Sequence, residues 1–204
     1  MITDFLAHAA HSRPDAPALV FGGRVCRYAD LDAAAGRTAA AVTAAGIGGG
    51  DRVAVWAAND PDTVTALWAI PRAGAVAVPI GAATPADEAR RLVETAEAQA
   101  IVAPAGAPDL GVPALAMTSD APASIGMTAT GPAYVVFTSG SSGAPKGAVL
   151  THENIAAAVA ASRDRLGNGP DDAWLAVLPL HHVGGLSILW RSAEAGGTVI
   201  LHHR

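Results

Sequence analysis

The single lysine of this chain, Lys146, lies in a run of small and hydroxyl-bearing residues, Thr138-Ser-Gly-Ser-Ser-Gly-Ala-Pro-Lys-Gly147, while all twelve remaining Lys-or-Arg positions are arginine. Arginine presents a planar fork; lysine presents a compact charge on a flexible stem that can follow a phosphate through a reaction. Gly140 and Gly143 let the backbone turn N–H groups toward an anion, and Thr138, Ser139, Ser141 and Ser142 add hydroxyl donors. Pro145 stiffens the approach to Lys146. Together these residues form a candidate cradle for a polyphosphate. A second cluster, Leu178-Pro-Leu-His-His-Val-Gly-Gly185, sets two imidazoles side by side ahead of a glycine pair. By residue type alone, His181 and His182 are either one packed and one solvated ring at a strand end or polar groups of a pocket. Neighbours in a strand point to opposite faces, which argues against a metal shared between them. His202 and His203 read as solvent-facing.

These groups need a frame to hold them, and the hydrophobic pattern supplies one. Short β-branched runs at 52–56, 75–79, 100–103, 134–137, 174–178 and 198–201 alternate with alanine-rich helical stretches at 31–45, 61–73, 85–96, 153–166 and 184–195. Several of the runs are apolar on both faces, as buried parallel strands are. The expected fold class is therefore α/β, with mostly parallel sheets and helical crossovers. Asp60-Pro61 and Thr84-Pro85 each place a capping side chain before a proline suited to a first helical turn. Thr151 or Asn154 should cap the helix that follows the lysine run. Gly48-Gly-Gly50 reads as a turn, and 104–132 as a surface connection with one edge strand near 112–117. The lysine run falls between a strand and a helix, a common place for a phosphate site in open α/β sheets. It is not a Walker loop, which would need glycine at Pro145 and Ser or Thr at Gly147, and no G-x-G-x-x-G follows a strand. The strand at 198–201 ends the chain with nothing in view to cover it.

Bulk composition narrows the function classes. With 51% hydrophobic and 15% charged residues in 204, the chain can bury a real core. A formal charge of −5 argues against a general nucleic-acid binder and for small-molecule partners. The one cysteine, Cys26, excludes an internal disulfide framework and fits a reducing compartment. No basic segment followed by an apolar run opens the chain, and the most apolar stretch, 64–80, is broken by Pro71, Arg72 and Gly74. A cytoplasmic protein with no membrane partner is expected.

The segment from Phe137 to Gly147, followed by Val149-Leu-Thr-His152 and Asn154, closely resembles the phosphate-loop signature of the adenylate-forming enzymes. That superfamily holds acyl-CoA synthetases, peptide-synthetase adenylation domains and luciferases. Ala73-Gly-Ala-Val-Ala-Val-Pro79 resembles its early K-A-G-x-x-x-V-P block, with Arg72 in the lysine position. Leu178 to Gly185 resembles its L-P-x-F-H-x-x-G block, with His181 in the aromatic position. Arg27 precedes Tyr28 where a capping threonine is usual. The resemblance implies an incomplete N-terminal AMP-binding domain over 1–204, with its C-terminal subdomain and the small C-terminal domain absent. It also implies ATP-dependent activation of a small carboxylic acid to an acyl adenylate, followed by thioester formation with CoA. By resemblance, Thr138, Ser139, Gly140, Ser141, Ser142, Gly143 and Lys146 bind the phosphates. His182, the second catalytic candidate beside Lys146, positions the carboxylate or shapes the thiol channel. His181, Gly184 and Gly185 join it at the substrate. No metal ligand is expected here, the Mg2+-holding carboxylate being expected beyond residue 204.

Within the superfamily, the run Leu178–Leu189 looks most like the o-succinylbenzoate:CoA ligases of menaquinone synthesis, which implies that acid. Two alternatives stand beside it: amino-acid adenylation for a carrier protein, and a non-catalytic phosphate-binding module or one subunit of a split enzyme. Since the family's later motifs would follow residue 204, the chain alone is expected to be inactive and to need a missing C-terminal half or a complementing chain.

Overall fold

The computed structural model describes residues 4–103, 107–118, 130–138 and 145–202. The chain opens with α1 (Phe5–Ser12), capped by Asp4, whose Oδ1 accepts the Ala7 N–H at 3.0 Å. β1 (Pro17–Phe21) and β2 (Arg24–Arg27) form an antiparallel hairpin around Gly22 and Gly23, whose φ values of 55° and 77° suit a tight two-residue turn. Then come α2 (Tyr28–Ala44), β3 (Arg52–Ala57), α3 (Pro61–Arg72), β4 (Val76–Gly81), α4 (Ala86–Thr95), β5 (Ala100–Val102) and β6 (Ala114–Leu115). β7 (Pro132–Thr138), β8 (Lys146–Thr151), α5 (His152–Leu166), β9 (Ala173–Ala176), α6 (Val183–Ala195) and β10 (Thr198–Leu201) complete the order.

The strands make two sheets, ordered β2-β1-β10-β9 and β6-β5-β3-β4-β7-β8. Every pairing is parallel except β1 with β2 and β7 with β8. The α/β class with mostly parallel sheets is therefore the fold. The larger core joins inward residues of both sheets, such as Leu19, Val199, Val53 and Ala77, through Leu31, Leu67, Leu186 and Trp190 of α2, α3 and α6. Tyr134 of β7 ties these layers with hydrogen bonds, donating to the Leu67 carbonyl at 2.7 Å and accepting from Trp190 Nε1 at 3.4 Å. A smaller core packs Ala89, Leu92 and Val93 of α4 on the other face of the six-stranded sheet.

Several expectations need correction. The strand at 198–201 is not left uncovered: β10 lies between β1 and β9, pairing in parallel with both. The lysine run does not pass directly from strand to helix. It joins β7 to an antiparallel β8 that starts at Lys146, and α5 follows β8. Thr84 caps nothing, because α4 begins after Pro85 and has no side-chain cap. Asp60 does cap α3, accepting the Thr63 N–H at 2.7 Å, and Thr151 and Asn154 cap α5 reciprocally as a capping box. α1, β1, β2 and β8 are additions to the expected elements, and the short β6 falls within the anticipated edge strand.

Candidate functional site

β3, β4 and β7 run in the same sense in one sheet, so their carboxyl ends gather on one edge, where α/β sheets place ligands, and Asn59 just past β3 bonds the turn that follows β9 of the other sheet. β7 delivers Thr138 to that edge. Across the hairpin its partner is Lys146, and Thr138 Oγ1 donates to the Lys146 carbonyl at 3.3 Å. The next pair, Phe137 with Gly147, needs its glycine: a Cβ there would stand 2.8 Å from Val135 Cγ1. Lys146 is exposed and forms no ion pair among the described residues. An ammonium without a carboxylate partner is open to an anion from solution. Ser139, Gly140, Ser141, Ser142 and Gly143 lie outside the described residues.

The second wall comes from the turn between β9 and α6. His181 is partly buried and His182, the N-cap residue of α6, is exposed. The rings do not diverge as strand neighbours would, because this turn is not a strand; their centroids are 4.2 Å apart at 48°. His181 also leans on the end of β4, where a Cβ on Gly81 would stand 2.7 Å from its Cε1. Burial, with repulsion from His182 second, pushes the His181 imidazole down to about 4, so near neutral pH it is an uncharged ring. Among the described residues no group of three His, Cys, Asp or Glu could hold a metal ion.

A cleft of about 230 Å³ brings the two clusters together. Its lining includes Gly81, Thr84, Glu88, Thr138, Pro145, His181 and His182, with Ile80, Leu92 and Phe137 as an apolar floor. The termini of the hydroxyl-rich run and the histidine pair, 43 residues apart from Thr138 to His181, thus share one hollow. Gly184 and Gly185 do not line this hollow and sit in the first turn of α6, Gly185 against the Pro179 backbone and Gly184 against the Leu178 side chain. A Cβ on Gly185 would come 2.3 Å from the Pro179 carbonyl oxygen, and one on Gly184 would stand 2.8 Å from Leu178 Cδ1. Their observed task is to let α6 close on the turn that carries the histidines.

Sequence reasoning missed Gly81, Glu88 and Asn59. Asn59 follows β3 and bonds the β9–α6 turn, its Oδ1 accepting the Leu180 N–H at 3.0 Å and its Nδ2 donating to the Leu178 carbonyl at 3.2 Å. The one local signal was its place just before the Asp60-Pro61 cap. Arg72, in the family's lysine position, is buried with its Nε 2.8 Å from Asp4 and its Nη2 2.7 Å from Asp32. It is a structural tie between α1, α2 and α3 rather than part of the cleft.

Chemically, the hollow offers the Thr138 hydroxyl at one end and the neutral His181 imidazole at the other, with one carboxylate, Glu88, while Lys146 follows the lining residue Pro145 without lining the hollow itself. That donor set fits a phosphate beside a small acid and does not by itself hold a magnesium ion.

The model of the family described as AMP-binding enzyme matches residues 6–204. Phenyloxazoline synthase MbtB of Mycobacterium sp. (strain MCS) is 38% identical over 97% of this chain and 18% of its own length. Feruloyl-CoA synthase of Amycolatopsis sp is 34% identical over 95% of this chain and 42% of its own. Among solved structures, o-succinylbenzoate CoA synthetase (MenE) from Bacillus subtilis, in complex with the acyl-adenylate intermediate OSB-AMP, superposes with a TM-score of 0.89 at 27% identity. It is matched over 98% of this chain and 56% of its own. The chain thus spans less than half the length of both enzymes matched by sequence.

Proposed function

This chain belongs to the AMP-binding enzyme family, and from that premise we propose that it carries the phosphate-gripping part of an enzyme that activates a small carboxylic acid with ATP and passes it to CoA. A carboxylate oxygen attacks the α-phosphorus, the bond to the β-phosphate oxygen breaks, and acyl adenylate and pyrophosphate result. A thiol then attacks the acyl carbon, forming the thioester and releasing AMP. The first step sets two anions against each other. Lys146, Thr138 and the run between them relieve that repulsion by holding the outer phosphates, where negative charge grows as pyrophosphate leaves. His182, at the exposed end of the ring pair, orients the acid, while neutral His181 lines the pocket without adding charge. Gly184 and Gly185 serve the substrate by seating this wall. Magnesium, when present, would neutralise phosphate charge; its carboxylate ligand lies outside the residues of this site.

The observation that carries the reading is the shared cleft, in which Thr138 and Pro145 meet His181 and His182. Its test, made on the whole enzyme of which this chain is a part, is acid-dependent exchange of labelled pyrophosphate into ATP over a panel of acids, o-succinylbenzoate and feruloyl-type aromatic acids included. Lys146→Ala should slow exchange by roughly 10² to 10³, the range for losing one preorganised donor. Exchange undiminished by that change would contradict the assignment.

A second reading, adenylation of an amino acid for a carrier protein, draws support from the 38% identity to phenyloxazoline synthase. Glu88 in the cleft is a carboxylate that could meet an α-ammonium. Amino acids supporting exchange where simple acids fail would select it. In either case we place the chain in the cytoplasm, which suits an unpaired cysteine, and read it as working with further polypeptide, as a partial AMP-binding domain that does not turn over alone.

A further inference from the structure

Asn59 sits at the carboxyl end of β3, outside the cleft lining, yet its side chain spans two sheets. Its Oδ1 accepts the Leu180 N–H at 3.0 Å, and its Nδ2 donates to the Leu178 carbonyl at 3.2 Å, with the Ala176 and His202 carbonyls at 3.5 Å. The bond from Leu180 fixes which end of the amide is oxygen. A primary amide has two N–H groups, so the shortest of the three donor contacts, to Leu178, is the dominant one. One side chain from the six-stranded sheet therefore grips the backbone on both sides of Pro179. The proline lacks an N–H of its own to anchor there. Leu180 is followed at once by His181 and His182. The same turn is pressed from α6 by Gly185, and its far end rests on β4 where His181 meets Gly81. Among the described residues, the Asn59 bonds are the hydrogen bonds that tie residues 178–180 to the six-stranded sheet.

We propose that Asn59 is a positioning residue of the cleft, holding the Leu178–Leu180 backbone so that His181 and His182 stand on the wall they share with Thr138 and Pro145. This rests on His182 being the acid-facing wall of the proposed reaction. A displacement of that wall by about 1 Å is enough to cost on the order of 10²-fold in a reaction that depends on alignment.

The rings themselves report the effect. In histidine-resolved NMR of the unaltered chain, a nuclear Overhauser contact should join the His181 ring to Gly81, and the ring should titrate well below the ordinary histidine range, toward about 4. Asn59→Ala removes both arms of the clamp; the contact to Gly81 is lost and the titration rises toward the ordinary histidine range. Asp60→Ala is the control, since it strips the adjacent α3 cap without touching the turn. It lowers the unfolding temperature but leaves both ring signatures in place. Asn59→Ala with both signatures intact, or Asp60→Ala losing them equally, would overturn the proposal. Should Asn59→Ala fail to fold, Asn59→Asp decides. It keeps the acceptor for Leu180 and loses the donor to Leu178, so the two ring resonances shift while the Gly81 contact survives; unshifted resonances overturn the idea. None of these readouts needs turnover. Failure of the whole enzyme to activate any acid would sink the proposed reaction and leave this result standing, and the reverse also holds.

Discussion

His181 shows how far one side chain's chemistry depends on its neighbours. From its type it is a physiological switch; in place it is wedged between Gly81 and the His182 ring and kept neutral. Its folded pKa, about 4, lies below the ordinary 6.5, and burial lowers His152 in the same direction. An unfolded chain therefore binds more protons than the folded one below about 6.5, and stability falls as pH falls through that value toward 4, where the His181 contribution is fully lost. Urea midpoints at pH 7, 5.5 and 4.5 should decline in that order, and replacing His181 with phenylalanine should flatten the decline. Gly81→Ala puts a Cβ 2.7 Å from the ring, so the ring must move. The expected result is a His181 titration raised toward 6.5, read by NMR; a titration unchanged from about 4 would mean the contact does not confine the ring. Neither Gly81 nor Asn59 was legible in the sequence. The Asn59–Leu180 bond links residues 121 apart, and no local pattern announces such a pairing.

Elements, by contrast, were legible where they were long or buried on both sides. β3 and β4, whose residues are almost all buried, carry continuous apolar runs, and α3 begins at a proline behind an aspartate. β8 was not legible because it is an edge strand: its first four residues are exposed and its apolar pattern is weak. Missing it turned a hairpin into a supposed strand-to-helix passage. β1 and β2 are only five and four residues long, and without β1 the cover of β10 could not be foreseen. Two substitutions test what holds these pieces. Thr151→Ala removes half of the α5 capping box and should cost about 1 kcal/mol in denaturant unfolding. Arg72→Ala strands Asp4 and Asp32 at the junction of three helices, and losing one partner of such a buried pair costs about 3–5 kcal/mol. A loss below 1 kcal/mol at Arg72 would mean that the junction is held by packing alone.

At the scale of the molecule, the two sheets differ in their cover. α4 closes one face of the six-stranded sheet, while the outward face of the four-stranded sheet carries a cross-strand row, Val25, Val20, Ile200 and Leu175. Val25 is 60% and Leu175 52% exposed. An exposed apolar row of this kind is the surface on this sheet that an apolar probe should find. An apolar dye should brighten with this chain and dim when Leu175 and Val25 are both changed to serine; a dye-silent, soluble monomer would instead favour a finished phosphate-binding module. The central claim, however, concerns the hairpin joining β7 to β8 and the lone amine at its exit. Its most direct measurement is calorimetric titration of MgATP into the chain and into its Lys146→Ala variant. A charged donor to phosphate is worth about 1.5–3 kcal/mol, so the variant should bind at least tenfold more weakly while AMP affinity changes little. Equal affinity of the two proteins for MgATP would contradict the account.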